Sequence, residues 1–249
     1  MIVLESHNLS KQYQGVFVIS DFSLSLHSGE ITCIIGNNGS GKSTILGMLS
    51  AIIKPTTGSI SVLNQELNLN NGHLKRHLGV MPESLALVDV LTIKENLLLV
   101  ANAYGIDKQD SLFRSEYLLN YFDLLKYQEY FPYQLSFGTK KKVALCLALL
   151  HSPKILILDE PFEGVDVISS NRIQSLLKLL SKKGIAIIIA CHQFNLLEKI
   201  IDRCVILSSG KVLIDEYYHN IISSNTNLES FYFKFNPPLE MRDIEWIDL

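Results

Sequence analysis

The sequence contains no long apolar run. Its longest stretches, Val143–Leu150, Ile155–Leu158 and Ile185–Cys191, fall well short of the roughly 18–20 residues that a membrane helix needs. Work at a membrane would therefore require a span supplied by a partner. The opening MIVLESHNLSKQY has no basic segment followed by an apolar one, so it does not read as a secretion signal. Cysteine is sparse: Cys33, Cys146, Cys191 and Cys204, no two in C-x-x-C spacing. This argues against a disulfide framework or a zinc site and for reduced core thiols in a cytosolic protein. Charge of one sign is not in excess. The formal net charge of −3 gives no general reason to expect nucleic acid or an acidic membrane as partner. Internal repeats and low-complexity segments are also missing. What remains is a globular chain of 249 residues, 47% hydrophobic and 19% charged, long enough for one large or two small domains with a buried core.

The pattern along the chain alternates between strand and helix. Phe22, Leu24 and Leu26 alternate with polar neighbours, as in a half-buried antiparallel strand. Ile31–Ile35 is a continuous apolar run, as in a strand covered on both faces. A helix is expected over Lys42–Ala51, closed by a turn at Pro55-Thr-Thr-Gly58, and a short strand at Leu78–Met81. The region 84–138 is expected to be helical: Thr92 and Glu95 form a capping box for a helix through Ala103, and Ser111–Leu125 follows. Ser136 is placed to cap a helix over Thr139–Leu150. Strands then return at Ile155–Leu158, Ile185–Ala190, Val205–Leu207 and Val212–Ile214, with helices near Ile168–Leu180 and Phe194–Ile201 between them. Apolar strands alternating with helices imply a mostly parallel sheet of right-handed βαβ units. In such sheets ligands sit at the carboxyl ends of the strands.

Three groups of polar residues occupy those ends. The first is GNNGSGKS, Gly36 to Ser43, which lies between an apolar strand and a helix and fits G-x-x-x-x-G-K-S/T. Such a loop lets the backbone amides of Asn37, Asn38, Gly39, Ser40, Gly41 and Lys42, through to Ser43 and Thr44, wrap a polyphosphate at a helix N-terminus. Lys42 would reach the β- and γ-phosphates, and the Ser43 hydroxyl would bind Mg²⁺. The second is ILILDEP, Ile155 to Pro161, where Asp159 would hold the Mg²⁺ and Glu160 would take a proton from water. Alone, the pair also suits helix capping; with the loop upstream the catalytic reading is the stronger. The third is His192, directly after the strand IAIIIAC, where it can reach a γ-phosphate.

LSFGTKKK, Leu135 to Lys142, resembles the signature loop of ATP-binding-cassette ATPases, normally LSGGQ. The order of phosphate loop, helical insertion, signature, acidic strand and histidine is similar to that family over about residues 1–215. The resemblance implies an α/β fold: a P-loop NTPase core with a mostly parallel sheet (residues 1–83 and 139–215), an N-terminal antiparallel β part, a helical subdomain at 84–138 and a tail at 216–249. It implies that Tyr13 stacks on adenine, with Phe17 as rival, and that Ser136 and Gly138 bind ATP held by a second subunit. It further implies that Glu83 and Asp166 sit in coupling loops, Glu83 also as an oxygen ligand of Mg²⁺. The partners implied are a membrane permease subunit and a second copy or a paralogue, on the inner face of the cell membrane.

Three departures stand out. Glu83 replaces a usual Gln, a form similar to that of drug, antibiotic and polysaccharide exporters, which points to export. Phe137 and Thr139 replace Gly and Gln in the signature, and EGVD replaces S-x-L-D. Lys140–Lys142 read as a solvated helix face. Two other readings stay open: a non-transport ATPase of ribosomes or chromosomes, and a nucleotide-binding regulatory subunit that does not turn over.

Overall fold

The computed structural model describes residues 1–68, 71–223 and 227–237. An antiparallel sheet in the order β2-β1-β4-β5 is built from β1 (Ile2–Tyr13), β2 (Val16–His27), β4 (Thr57–Val62) and β5 (Gln65–Glu66). As expected, Phe22, Leu24 and Leu26 of β2 are buried. The pattern did not mark β1 or β4 as strands. β1 carries several register shifts against β2, and Asn8 lies at φ 49, which breaks its alternation. The expected turn at Pro55–Gly58 gives way to strand already at Thr57. Gly58, at φ +89, is needed inside β4 because a Cβ there would lie 2.5 Å from the carbonyl oxygens of His7 and Asn8.

The second sheet runs β10-β9-β3-β8-β7-β6. β3 (Ile31–Gly36), β6 (Leu78–Met81), β7 (Ile155–Asp159), β8 (Ala186–Ala190) and β9 (Arg203–Ser208) are parallel, and β10 (Lys211–Tyr217) closes the edge as an antiparallel hairpin with β9. Every residue of β3, β7 and β8 is buried. Successive side chains of a strand point to opposite faces, and here the two faces make two cores. Ile34, Ile155, Ile157 and Ile188 join α1 (Lys42–Leu49) and the antiparallel sheet. Cys33, Leu156, Leu158 and Ile189 join the helices of the other face: α3 (Ile93–Ala103), α4 (Lys108–Tyr121), α5 (Phe137–Leu149) and α6 (Val167–Lys182). Short helices α2 (Gly72–Lys75), α7 (Phe194–Leu197), α8 (Tyr218–Ser223) and α9 (Leu228–Phe235) complete the described chain. Among the described residues no helix is long and apolar enough to cross a membrane.

The capping box of α3 forms as expected: Thr92 Oγ1 accepts from Glu95 N–H at 3.2 Å, and Glu95 Oε2 accepts from Thr92 N–H at 2.7 Å. α4 begins earlier than its apolar spacing suggested, because Asp107 caps it by accepting from the amides of Gln109 and Asp110. It also ends earlier, and Leu125 opens a separate 3₁₀ turn, Leu125–Tyr127. α1 likewise stops at Leu49, short of Ala51, which has φ 53. Pro237 lies at the end of the described tail and Pro238 outside it.

Candidate functional site

β3 delivers the chain to Gly36 at the carboxyl edge of the sheet, and the next residues curl into α1. The curl is tight. A Cβ on Gly36 would lie 2.5 Å from Ser40 Oγ and from the Leu207 carbonyl oxygen, and one on Gly41 would lie 2.3 Å from Ile19 Cδ1. Gly41, at φ +103, is the N-cap of α1, and no side chain bonds the first amides of that helix. Those amides face outward as donors, with the positive end of the helix dipole behind them. The Lys42 ammonium folds back and donates to the carbonyls of Gly36 at 2.8 Å and Asn37 at 3.3 Å. It is a charge held in reserve on groups it can leave.

Opposite the loop, β7 and β8 end in the acidic residues and the histidine. Asp159 hydrogen-bonds Ser43, which favours its charged form. Burial outweighs that bond, and with help from nearby Glu83 and Glu160 it raises the Asp159 carboxyl above its usual range. Glu160 has a left-handed backbone, φ 48, of the kind often found at functional positions. Its N–H donates to the Ala190 carbonyl at 2.8 Å and its own carbonyl accepts from Lys141 Nζ at 2.6 Å. One carboxylate oxygen, Oε1, is 2.9 Å from His192 Nδ1, while the other, Oε2, is buried without a hydrogen-bond partner.

These groups line one cleft of about 790 Å³. Of the residues expected from sequence, Asn37, Asn38, Gly39, Gly41, Lys42, Ser43, Thr44, Glu83, Asp159, Glu160 and His192 line it. Ser40 lies just beneath, buried, its hydroxyl unpartnered. Tyr13 and Phe17 do not line the cleft. Both stand exposed on the β1–β2 hairpin, Tyr13 with Lys11 Nζ 4.9 Å from its ring centre, and Val18 is the hairpin residue at the wall. Ser136, Gly138 and Asp166 are elsewhere as well. Ser136 caps α5, its Oγ accepting from Thr139 N–H at 3.3 Å. Gly138 lies so close to the Gly164 carbonyl that a Cβ would reach it at 2.3 Å. Asp166 caps α6 through Ser169 N–H at 2.9 Å, and its bonds to Ser169 hold its carboxyl below the usual range.

One expectation is overturned. Of Lys140–Lys142, Lys141 is not on a solvated face but fully buried. Sequence reasoning also passed over Glu163, Phe194, Tyr232 and Phe233, which line the cleft. Glu163 had a local signal, since it follows directly on DEPF. Tyr232 had none: it sits on α9, yet its hydroxyl donates to Asn37 Oδ1 at 2.6 Å across 195 positions of sequence.

A family profile described as "ABC transporter" matches residues 19–163. The linearmycin resistance ATP-binding protein LnrL of Bacillus subtilis is 30% identical over 211 residues, which cover 85% of this chain and 68% of that protein. The methionine import ATP-binding protein MetN 1 of Oceanobacillus iheyensis is 33% identical over 232 residues, 90% of this chain and 68% of the relative. Among solved structures, the dimeric post-hydrolysis state of the ATP-binding cassette MJ0796 bound to ADP and Pi has a TM-score of 0.80 at 27% identity, covering 86% of this chain and 98% of that one. With that profile over more than half its length, and a phosphate-type loop facing paired carboxylates across one cleft, the chain belongs to the ABC transporter family, as an ATP-binding subunit.

Proposed function

We propose that this chain is a Mg²⁺-dependent ATPase that powers a separate membrane permease from the inner face of the membrane, in the direction of export. The observation that carries hydrolysis is the place of Glu160: its carboxylate lines the cleft that holds Lys42 and Ser43 and is engaged by His192 through Oε1 at 2.9 Å. A water bound in that cleft would meet this carboxylate. Glu160 is then the general base that orients this water and takes its proton. His192, fixed by Glu160 through one ring nitrogen, turns the other towards the transferring phosphoryl group. Lys42 leaves the carbonyls of Gly36 and Asn37 for the β- and γ-phosphates, and the loop amides from Asn37 to Thr44 cradle them. Tyr13 stacks on the base from the hairpin.

The residues present fit Mg²⁺. Ser43 and the paired Asp159 supply hard oxygen donors, Glu83 adds a third nearby, and the raised Asp159 carboxyl marks a place where positive charge is wanted. When bound, the ion would neutralise charge developing on the phosphate oxygens. Ser136 and Gly138 stand outside the cleft, which suits groups that complete the site of a second subunit, a copy or a paralogue. The MJ0796 cassette is described as dimeric. In this reading 84–138 is the helical subdomain between core segments 1–83 and 139–215, and Asp166 and Glu83 relay closure. Export rests on Glu83. The relatives are named for resistance and for import alike, and no nucleic acid is needed as partner.

The test is purification of the tagged chain from gently solubilised host membranes, beside an assay of Mg-ATPase for wild type and Glu160→Gln. A polytopic membrane protein in equal amount, with hydrolysis lost in the variant, is the expected result. Recovery with ribosomes, DNA or nothing removes the transporter; equal rates remove the motor.

A further inference from the structure

Lys141 is an ammonium with no exposure to solvent. Burying such a group costs several kcal/mol unless it is paired and hydrogen-bonded, so what it touches bears on why it is there. Its Nζ donates to the carbonyl of Glu160 at 2.6 Å, comes within 3.5 Å of Glu163 Oε2, and lies 5.0 Å from the centre of the Phe137 ring. Phe137 and Lys141 are one turn apart on α5, so the start of that helix meets the 160–164 loop through both. The same loop approaches α5 at Gly164, where a Cβ would lie 2.7 Å from Phe137 Cδ1.

The peptide groups around Glu160 are thereby held on both sides. β8 takes the N–H through the Ala190 carbonyl, and Lys141 takes the C=O. These two bonds sustain a left-handed backbone that a glutamate does not prefer, and that backbone aims the side chain at His192 and the cleft. The charge has its own use. Glu83, Asp159, Glu160 and Glu163 all line the cleft, and Lys141 sets a cation against Glu163 and Asp159.

We propose that Lys141 is a positioning residue for hydrolysis: through the Glu160 carbonyl it fixes where the Glu160 carboxylate stands. The proposal rests on Glu160 being the base, and the experiment separates the two. Mg-ATPase of the full chain is measured against ATP concentration for wild type, Lys141→Gln, Lys141→Met, Lys141→Arg and Glu160→Gln. The Gln and Met variants are expected to lose kcat by about tenfold or more, the scale of a small misplacement of a reacting group, with KM changed little. Lys141→Arg, which keeps a charged donor, should recover much of the rate. Should the Met protein not fold, the Gln protein, whose donor sits one bond too short for the Glu160 carbonyl, carries the test. Wild-type kcat in a folded Gln or Met variant overturns the proposal. So does a rise in KM at constant kcat, or an Arg variant no better than Met, since either would mean a role in binding or in packing. Unimpaired hydrolysis by Glu160→Gln would remove the base itself, and the proposal with it.

Discussion

Asp159 occupies a place that disfavours its own charge. Its carboxyl titrates above the usual range because it is buried with other carboxylates nearby, despite the Ser43 bond. A carboxylate whose folded pKa exceeds its unfolded value subtracts from stability once pH passes the unfolded value, and the subtraction vanishes in acid. Without nucleotide, Asp159→Asn should therefore melt higher than wild type at pH 8. The gain should shrink towards pH 5 while hydrolysis stays largely lost. Scanning calorimetry at the two pH values checks this; each kcal/mol moves Tm by about 2–4 °C in a chain of this size. The thiols allow a second test. All four cysteines are free and buried, and Cys191 is pushed up to about 12, by burial first and then by Glu160. Thiolates are the reactive species, so a thiol reagent should modify none of the four in the native protein and all four after denaturation.

At the scale of elements, the helical part depends on one buried amide. Asn96, on α3, accepts from Val88 N–H at 2.9 Å and donates to the carbonyls of Val88, Leu91 and Thr92. It clamps the loop before α3 to the helix. Asn96→Ala leaves the Val88 N–H and the Leu91 carbonyl without partners, while the Val88 and Thr92 carbonyls keep the amides of Leu91 and residue 96, and a loss of about 2–3 kcal/mol is expected in urea melts. Nothing in the sequence announces this clamp, because an Asn in a helix reads the same whether its partners are water or backbone. The capping box at Thr92 and the cap at Ser136 were legible because a cap is a local arrangement whose residue types and spacing follow from the helix end itself. Lys141 shows the opposite case. Of three consecutive lysines the sequence does not tell which is covered, and the partners that meet Lys141, Glu160 and Glu163, lie about twenty residues on. Likewise, the parallel strands were legible from continuous apolar runs, whereas β1 and β4 were not, their alternation being broken by shifts and by Asn8 and Gly58.

For the whole molecule, the cleft was legible at 36–44, at 155–160 and at Glu83 and His192, and illegible where α7 and α9 bring in Phe194, Tyr232 and Phe233. If Ser136 and Gly138 complete a partner's site, a chain that binds ATP but cannot hydrolyse it should stay closed. Glu160→Gln with Mg-ATP is expected to elute as a dimer in size-exclusion chromatography and the wild type as a monomer once ATP is spent; a variant that remains monomeric points to an obligatory paralogue. The far end of the chain contributes too. Tyr232→Phe removes the bond to Asn37 while keeping the ring, so ATP affinity should fall about three- to tenfold, the equivalent of one ordinary hydrogen bond, by titration with a fluorescent ATP analogue.

That bond also orders events in time. The loop at 36–44 leaves the ribosome early, whereas Tyr232 is joined to the chain only after both sheets are complete in sequence. During synthesis, Asn37 must therefore wait for its partner until the last described helix has been made. A nascent chain halted just after β10 would carry the cleft with its phosphate loop still unbraced.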